Sequence, residues 1–368
     1  MKKIFFKNIE WSILICMILL IGIGFIALYS STISSDTDEL TKQIIWFIIG
    51  IPTMIAVTVI DYKLIAKVSP FFYAVVLILL ILVLFTKPIN GATSWFEIGS
   101  FSLQPAEFAK IFVTIVFAST IVKIQEKGKE EISKPLKIVI SLIVVAIPVV
   151  LIIKQPDYGT ALAFIVATVL MLFCAGINKK YIIIALILTV IILPLLYFFI
   201  LPPHAKTRID VFLNPNLDPR GSGYNVIQSK LAIGAGKVFG MGLTKGNQTQ
   251  LGFLYPKTTD FIFSVIGEEM GFVVAGAIII LYVILITKAV FVAKTAKDDL
   301  GAYIGIGIVG IFIFHMIENI GMTMGLLPIT GVPLPFVSYG GSSLITNMVL
   351  VGLILNISAR RKKNMFIE

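Results

Sequence analysis

The residues that could do chemistry gather at a few points along the chain, and most are carboxylates or cations. Glu107 and Lys110 stand three apart, on one face of any helix that holds them, and could neutralise each other as a structural pair. Asp157 sits in Gln155-Pro156-Asp157-Tyr158-Gly159, a turn sequence that suits a structural role better than a chemical one. Asp260 follows Thr258-Thr259, with Glu268 and Glu269 about two turns further on. On local sequence alone Asp260 is either a helix cap or a site residue. His315-x-x-Glu318, with Asn319 beside it, is one isolated pair, better suited to a buried hydrogen bond than to a metal. The stretch 202–259 brings Lys206, Arg208, Arg220, Lys230, Lys237, Lys245 and Lys257 against Asp210 and Asp218, among eight glycines. Such a segment suits a phosphate-bearing lipid, although anionic headgroups alone would also account for its charge.

These residues need a scaffold, and the composition says which kind. Of 368 residues, 58% are apolar and 14% charged, with a mean hydropathy of +1.00. That is far from a soluble domain, and continuous rather than alternating apolar runs exclude a membrane β-barrel. Ten runs are long enough to cross a bilayer: about 10–29, 43–60, 69–86, 105–122, 136–153, 159–177, 181–201, 260–287, 301–320 and 340–357. The eighth is overlong, so it tilts or begins outside the hydrocarbon. With the N-terminus inside, nineteen basic residues fall in inner segments and three in short outer ones. The expected fold is therefore an all-α polytopic membrane protein of about ten spans with both termini cytoplasmic. Residues 1–368 form a single integral-membrane domain, with 202–259 a large extracellular loop between spans 7 and 8 and 358–368 a short basic tail. The net charge of +10 mostly orients the chain and does not call for nucleic acid.

Every even-numbered span then begins at the outer surface, and the polar clusters sit at those beginnings. Helix N-termini facing one outer volume would favour an anion. Ionisable groups within membrane spans are costly and are site candidates by default. The basic start reads as a retained first helix, since its apolar stretch is too long for an ordinary signal peptide and no good cleavage site follows. Cys16 and Cys174 read as packing residues. Gly234-Ala235-Gly236-Lys237-Val238-Phe239-Gly240 only superficially suggests a nucleotide loop, because no strand precedes it and no Ser or Thr follows the lysine. Residues 225–233 could form an amphipathic helix lying on the membrane.

Taken in order, the motifs resemble the SEDS family (RodA, FtsW, SpoVE). They are Asn90-Gly91-Ala92-Thr93-Ser94-Trp95 leading into Gln104-Pro105-Ala106-Glu107-Phe108-Ala109-Lys110, then Gln155-Pro156-Asp157-Tyr158-Gly159-Thr160, then Asp218-Pro219-Arg220-Gly221-Ser222-Gly223-Tyr224-Asn225. Thr259-Asp260-Phe261-Ile262-Phe263 with Gly267-Glu268-Glu269 follows, and Leu334-Pro335-Phe336-Val337-Ser338-Tyr339-Gly340-Gly341-Ser342-Ser343 closes the set. Together they extend over nearly the whole chain. One departure is Leu254-Tyr255-Pro256-Lys257-Thr258, where the family usually reads Leu-Pro-Glu-x-His, which argues against a required Glu or His there.

The resemblance implies a peptidoglycan glycosyltransferase that polymerises lipid II at the outer face of the bacterial plasma membrane. It makes Asp260 the catalytic residue, with Glu107 and Lys110 also essential, and pairs the chain with a class B penicillin-binding protein (a transpeptidase) and other elongation or division machinery. Asn225 in its motif and the minimal tails look more like the RodA branch, implying a role in elongation and rod shape; division and sporulation are the alternatives. In that reaction Asp260 would be general base, and Lys110, Arg208, Arg220, Lys230 and Lys237 would meet phosphate, with Ser338 and Ser342 as further substrate contacts. Glu107 would orient Lys110, while Asp157, Glu268, Glu269 and Glu318 would be structural or supporting. Charge on the departing pyrophosphate could also be met by a divalent cation, Mg or Mn; no organic cofactor is expected. The rival readings are a flippase for the same lipid and a non-catalytic membrane scaffold for the transpeptidase. Polar groups concentrated in the outer half, with inner halves largely apolar, favour the enzyme over a transporter.

Overall fold

A computed structural model describes residues 8–33, 37–88, 92–99, 101–219 and 221–361. Seven helices come first: α1 (Trp11–Thr32), α2 (Glu39–Val59), α3 (Tyr62–Leu82), α4 (Pro105–Gln125), α5 (Pro135–Lys154), α6 (Tyr158–Cys174) and α7 (Lys179–Leu195). A polar segment with three shorter helices follows, α8 (Pro203–Leu213), α9 (Ser222–Ala235) and α10 (Asn247–Gln250). The chain closes with α11 (Ile262–Lys294), α12 (Asp299–Thr323) and α13 (Gly341–Arg360). Each apolar run of the sequence is thus a helix. Eight helices are long and apolar enough to cross a membrane among the described residues. Two fall outside that set: α6, with 17 residues, is short, and α4 carries Glu107, Lys110 and Lys123.

Local sequence explains where the helices start. Pro105 and Pro135 occupy first-turn positions, where proline's missing N–H costs nothing. Asp157 caps α6 by accepting from the Thr160 amide at 3.1 Å, and Asp298 caps α12 by accepting from Gly301 at 3.0 Å. Asp61 caps α3 from the Lys63 amide at 2.9 Å. Lys63 and Lys67, expected in an inner loop, therefore lie in the first turns of α3, and α2 and α3 meet at a tight corner. A two-stranded antiparallel hairpin, β1 (Phe96–Ile98) and β2 (Phe101–Leu103), precedes α4. Alternating polar patterning too short to read had hidden it.

Packing centres on α13, which is buried along almost its whole length and is flanked by α2. α12 packs between α6 and α11, and α11 against α1. The sequence predicts largely apolar inner halves, but Asn356 and Arg360 place polar groups on the inner half of α13, where they belong to this frame. Asn356 donates from Nδ2 to the Val57 and Ile60 carbonyls, and Arg360 Nη1 bonds the Asn356 side chain at 2.7 Å. Both are consumed in tying down the α2–α3 corner. By contrast α7 buries none of its described apolar side chains among the other described residues, as a helix apolar all round does when lipid is its solvent.

The overlong eighth run has a physical explanation. α11 begins at Ile262, so Asp260 lies in the turn before it, and the helix breaks at Gly271, with φ +75°. A broken helix frees carbonyls and amides that must find partners. Residues 237–242 supply them: Met241 and Gly242 donate to the Glu268 and Glu269 carbonyls at 2.9 and 3.0 Å. Phe272 and Val273 donate to the Lys237 and Val238 carbonyls at 2.9 and 3.1 Å. A Cβ on Gly271 would lie 2.2 Å from the Gly240 nitrogen, and one on Gly240 would lie 2.2 Å from the Glu269 oxygen. The glycine-rich stretch that resembled a nucleotide loop is a strap crossing a break.

The expected amphipathic segment is α9, but it does not lie free on the membrane. Its face of Gly223, Val226, Ser229 and Ala232 is buried, and Ser229 Oγ shares a hydrogen bond with Ser264 Oγ and donates to the Thr323 carbonyl, both at 2.6 Å. Leu231 on its other side is exposed.

Candidate active site

The turn holding Asp260 is clamped by the connection between α12 and α13. The Tyr339 amide donates to the Thr258 carbonyl at 2.9 Å. Ser338 Oγ donates to the Thr259 carbonyl at 2.7 Å and accepts from the Leu334 amide at 2.8 Å. Asn319 Nδ2 donates to the carbonyls of Asp260 and Val332, at 3.0 and 2.8 Å. The backbone of 258–260 is thus fixed through each of its three carbonyls, and the Asp260 side chain projects from a rigid base. Ser338, expected to touch substrate, has its hydroxyl engaged in this clamp.

Around the Asp260 carboxylate the space is narrow and only partly open. A Cβ on Gly331, whose φ is +75°, would come within 3.4 Å of Asp260 Oδ2, so the glycine leaves room beside the carboxylate. The neighbouring Thr330 donates from Oγ1 to Glu318 Oε1 at 2.9 Å, and its carbonyl accepts from Arg208 Nη1 at 3.4 Å. Protein packed around Asp260 pushes its carboxyl up to about 6, while the Thr259 side chain and the Arg208 charge pull the other way. A carboxylate with that affinity for a proton can accept one near neutrality and hand it on.

A second polar group lies under the first. Glu107 and Lys110 of α4 form an ion pair at 2.8 Å with almost no exposure of either side chain. Lys110 Nζ also lies 3.2 Å from His315 Nε2, and His315 Nδ1 lies 3.1 Å from the Pro333 carbonyl. An ammonium can only donate, so Nε2 must accept and Nδ1 must carry the hydrogen given to Pro333. His315 and Glu318, adjacent in the sequence pattern, therefore serve different partners. His315 links α4 to the α12–α13 connection, and Glu318 holds Thr330. Asp157 accepts from Gln104 Nε2 at 2.8 Å, joining the start of α6 to the start of α4, and burial pushes its carboxyl up. Ser342 accepts from the Gln104 amide at 3.2 Å and donates to the Ser102 carbonyl at 3.4 Å, fixing β2 to α13.

The cations of the polar segment separate. Arg208 and Lys230 line one small cavity of about 10 Å³ with Gly325, Leu327 and Ile329, next to the Thr330 that Arg208 contacts. Lys237 sits instead at the Gly271 break, nine residues along α11 from Ile262, or about 14 Å of helix. It is not brought to Asp260. Arg220 lies outside the described residues. Glu268 accepts from the Gln248 and Thr249 amides at 2.7 and 3.0 Å and from Thr249 Oγ1 at 2.7 Å. Glu269 accepts from Gly246 N at 3.3 Å, from Gln250 Nε2 at 2.8 Å and from Ser30 Oγ. Both glutamates fasten the polar segment to the bundle. Sequence reading missed Thr330, Gly331 and the Lys110–His315 link; Gly331 is flagged only by lying in a loop between two motifs. Among the described residues no three His, Cys, Asp or Glu side chains gather closely enough to cage a metal ion.

Known proteins resemble this chain in sequence and in fold. Residues 10–363 match the cell cycle protein family FtsW/RodA/SpoVE. The peptidoglycan glycosyltransferase MrdB of Escherichia coli is 34% identical over 364 residues, covering 98% of this chain and 97% of its own. The probable peptidoglycan glycosyltransferase FtsW of Trichlorobacter lovleyi is 36% identical over 361 residues, covering 95% and 93%. A chain from a solved peptidoglycan synthase complex, described as coordinating polymerization and crosslinking, superposes with a TM-score of 0.81 at 26% identity and covers 97% and 99%. Matched end to end in sequence and in fold, this chain belongs to the FtsW/RodA/SpoVE (SEDS) family of multi-pass membrane proteins.

Proposed function

We propose that this chain is a peptidoglycan glycosyltransferase that polymerises lipid II at the outer face of the plasma membrane, with Asp260 as general base. Glycosyl transfer to peptidoglycan is the activity carried in the names of its relatives. The observation that carries the residue assignment is the Asp260 carboxylate itself, pinned through its backbone, pushed up to about 6, and set beside Arg208. In the reaction the acceptor 4-hydroxyl oxygen forms a bond to the donor C1, the bond from C1 to the pyrophosphate oxygen breaks, and the hydroxyl proton passes to Asp260. The lipid pyrophosphate leaves as an anion, so no second carboxylic acid is required.

Arg208, whose charge reaches the Asp260 carboxylate, is assigned to that anion together with Lys230; the cavity of about 10 Å³ that both line holds no more than a water and is not the anion's seat. Lys110 is fully enclosed, so it acts as a positioning residue, fixing the α12–α13 connection through His315 while Glu107 balances its charge. A Mg or Mn ion, if used, would be held by Glu318 together with substrate phosphate oxygens and waters, leaving Asp260 to accept the proton. The ion's charge would ease departure of the pyrophosphate. The partner is a class B penicillin-binding protein, as the likeness to a chain of a polymerising and crosslinking complex suggests. Elongation is the duty assigned, although relatives with division and sporulation names are similarly close.

Purified chain given labelled lipid II, alone and with the transpeptidase, tests the activity. Glycan polymer is the expected product. Translocation of lipid II across sealed liposomes without polymer would replace this reading with a flippase.

A further inference from the structure

Between α9 and α10 the strap 237–245 carries apolar side chains that nothing among the described residues covers. Phe239 is 82% exposed, Val238 51% and Leu243 43%, with Lys237 and Lys245 exposed at its two ends. The strap cannot turn these side chains inward. Its backbone is bound on both sides of the Gly271 break, and Thr244 N donates to Ser30 Oγ at 2.8 Å.

Its depth in the bundle follows from helices that do not contain it. Glu10, at the start of α1, pairs with Lys288 and Arg361, each at 3.3 Å, and so marks one end of the bundle. Ser30, which holds Thr244, is 20 residues further along α1, or about 30 Å at the helical rise. Along α13 the 20 residues from Gly341 to Arg360 cover about the same 30 Å, from the Asp260 turn back to the Glu10 end. A hydrocarbon core is about 30 Å thick. The strap therefore lies at the edge of that core, in the leaflet on the Asp260 side. It also continues a lipid-facing surface, since Phe272 and Val273, bonded to the strap, are 72% and 51% exposed on α11.

We propose that the strap 237–245 is an interfacial membrane anchor, with Val238, Phe239 and Leu243 inserted into the acyl boundary and Lys237 and Lys245 on lipid phosphates. The pattern is that of an interfacial element: an apolar tip with lysines at headgroup height. It goes beyond the enzymatic reading and does not depend on it. Its consequence is geometric. The strap follows directly on α9, which carries Lys230, so anchoring it fixes the height of the Arg208–Lys230 cavity relative to the phosphate plane.

The test uses the full chain in lipid nanodiscs, with Cys174→Ser to remove the exposed thiol. Phe239→Cys is labelled with an environment-sensitive dye, and Asn247→Cys, on the exposed side of α10, is the control. The dye at 239 is expected to emit to the blue of the control and to be quenched by lipids with a nitroxide near the headgroup, but not by aqueous iodide. Emission and iodide quenching equal to the control would overturn the anchor. So would a blue shift insensitive to nitroxide lipids, which would mean that protein, not lipid, covers Phe239.

Discussion

Asp260 combines a rigid backbone with a side chain whose ionisation is resisted by its surroundings, and that combination has measurable consequences. If the carboxylate is the base, kcat/KM for polymerisation should rise with pH and level off above an apparent pKa of about 6. Folding raises this pKa from 3.8, so ionisation costs stability that is absent below the unfolded value, grows between about 3.8 and 6, and is complete above the folded one. Asp260→Asn should therefore stabilise the fold at pH 7, by at most about 3 kcal/mol, and so raise the thermal midpoint, while removing activity. A melting curve in detergent checks the first half. His315 can be dissected in the same way. In His315→Gln an amide oxygen can still reach Lys110; in His315→Asn an amide N–H can still reach Pro333. The expected result is greater retained kcat in Gln than in Asn, with KM changed less, and no further loss when Asn is added to Lys110→Met. The Glu107–Lys110 pair was legible because its spacing is local. The His315 link was not, since its partner lies 205 residues away and only the packing of α12 on α4 brings them together.

At the scale of elements, ten apolar runs translated into ten helices because membrane burial leaves the backbone few alternatives. The break in α11 was not legible, since Gly271 is one glycine among 29 and only the strap lying against it makes a Cβ impossible. Gly271→Ala should destabilise by about 2–4 kcal/mol, through a left-handed backbone and collision with Gly240 together. Limited proteolysis should then cut the strap faster than in wild type. Glu268→Ala should have a comparable effect of about 2–4 kcal/mol, because it orphans the Gln248 and Thr249 amides. Cleavage between 236 and 257 should again be the first change. Both variants separate fastening of the polar segment from chemistry, since neither side chain reaches Asp260.

For the whole molecule, charge counting and hydropathy gave the class of protein, and ordered motifs gave the family; neither could show that the fourth and ninth spans, the turn before the eighth and the connection into the tenth converge on two connected polar layers. The upper layer holds Asp260, Thr330 and Arg208, and the lower holds Glu107, Lys110 and His315, joined by one face of α12. That design predicts that catalysis fails at one carboxylate while the fold survives. The direct measurement is glycan chain length from labelled lipid II, made by wild type and Asp260→Asn at equal folded concentration with the transpeptidase bound. Polymer from wild type, with a loss of about 10²-fold or more in the variant and partner binding intact, is the predicted result. Polymerisation by Asp260→Asn at the wild-type rate would contradict it.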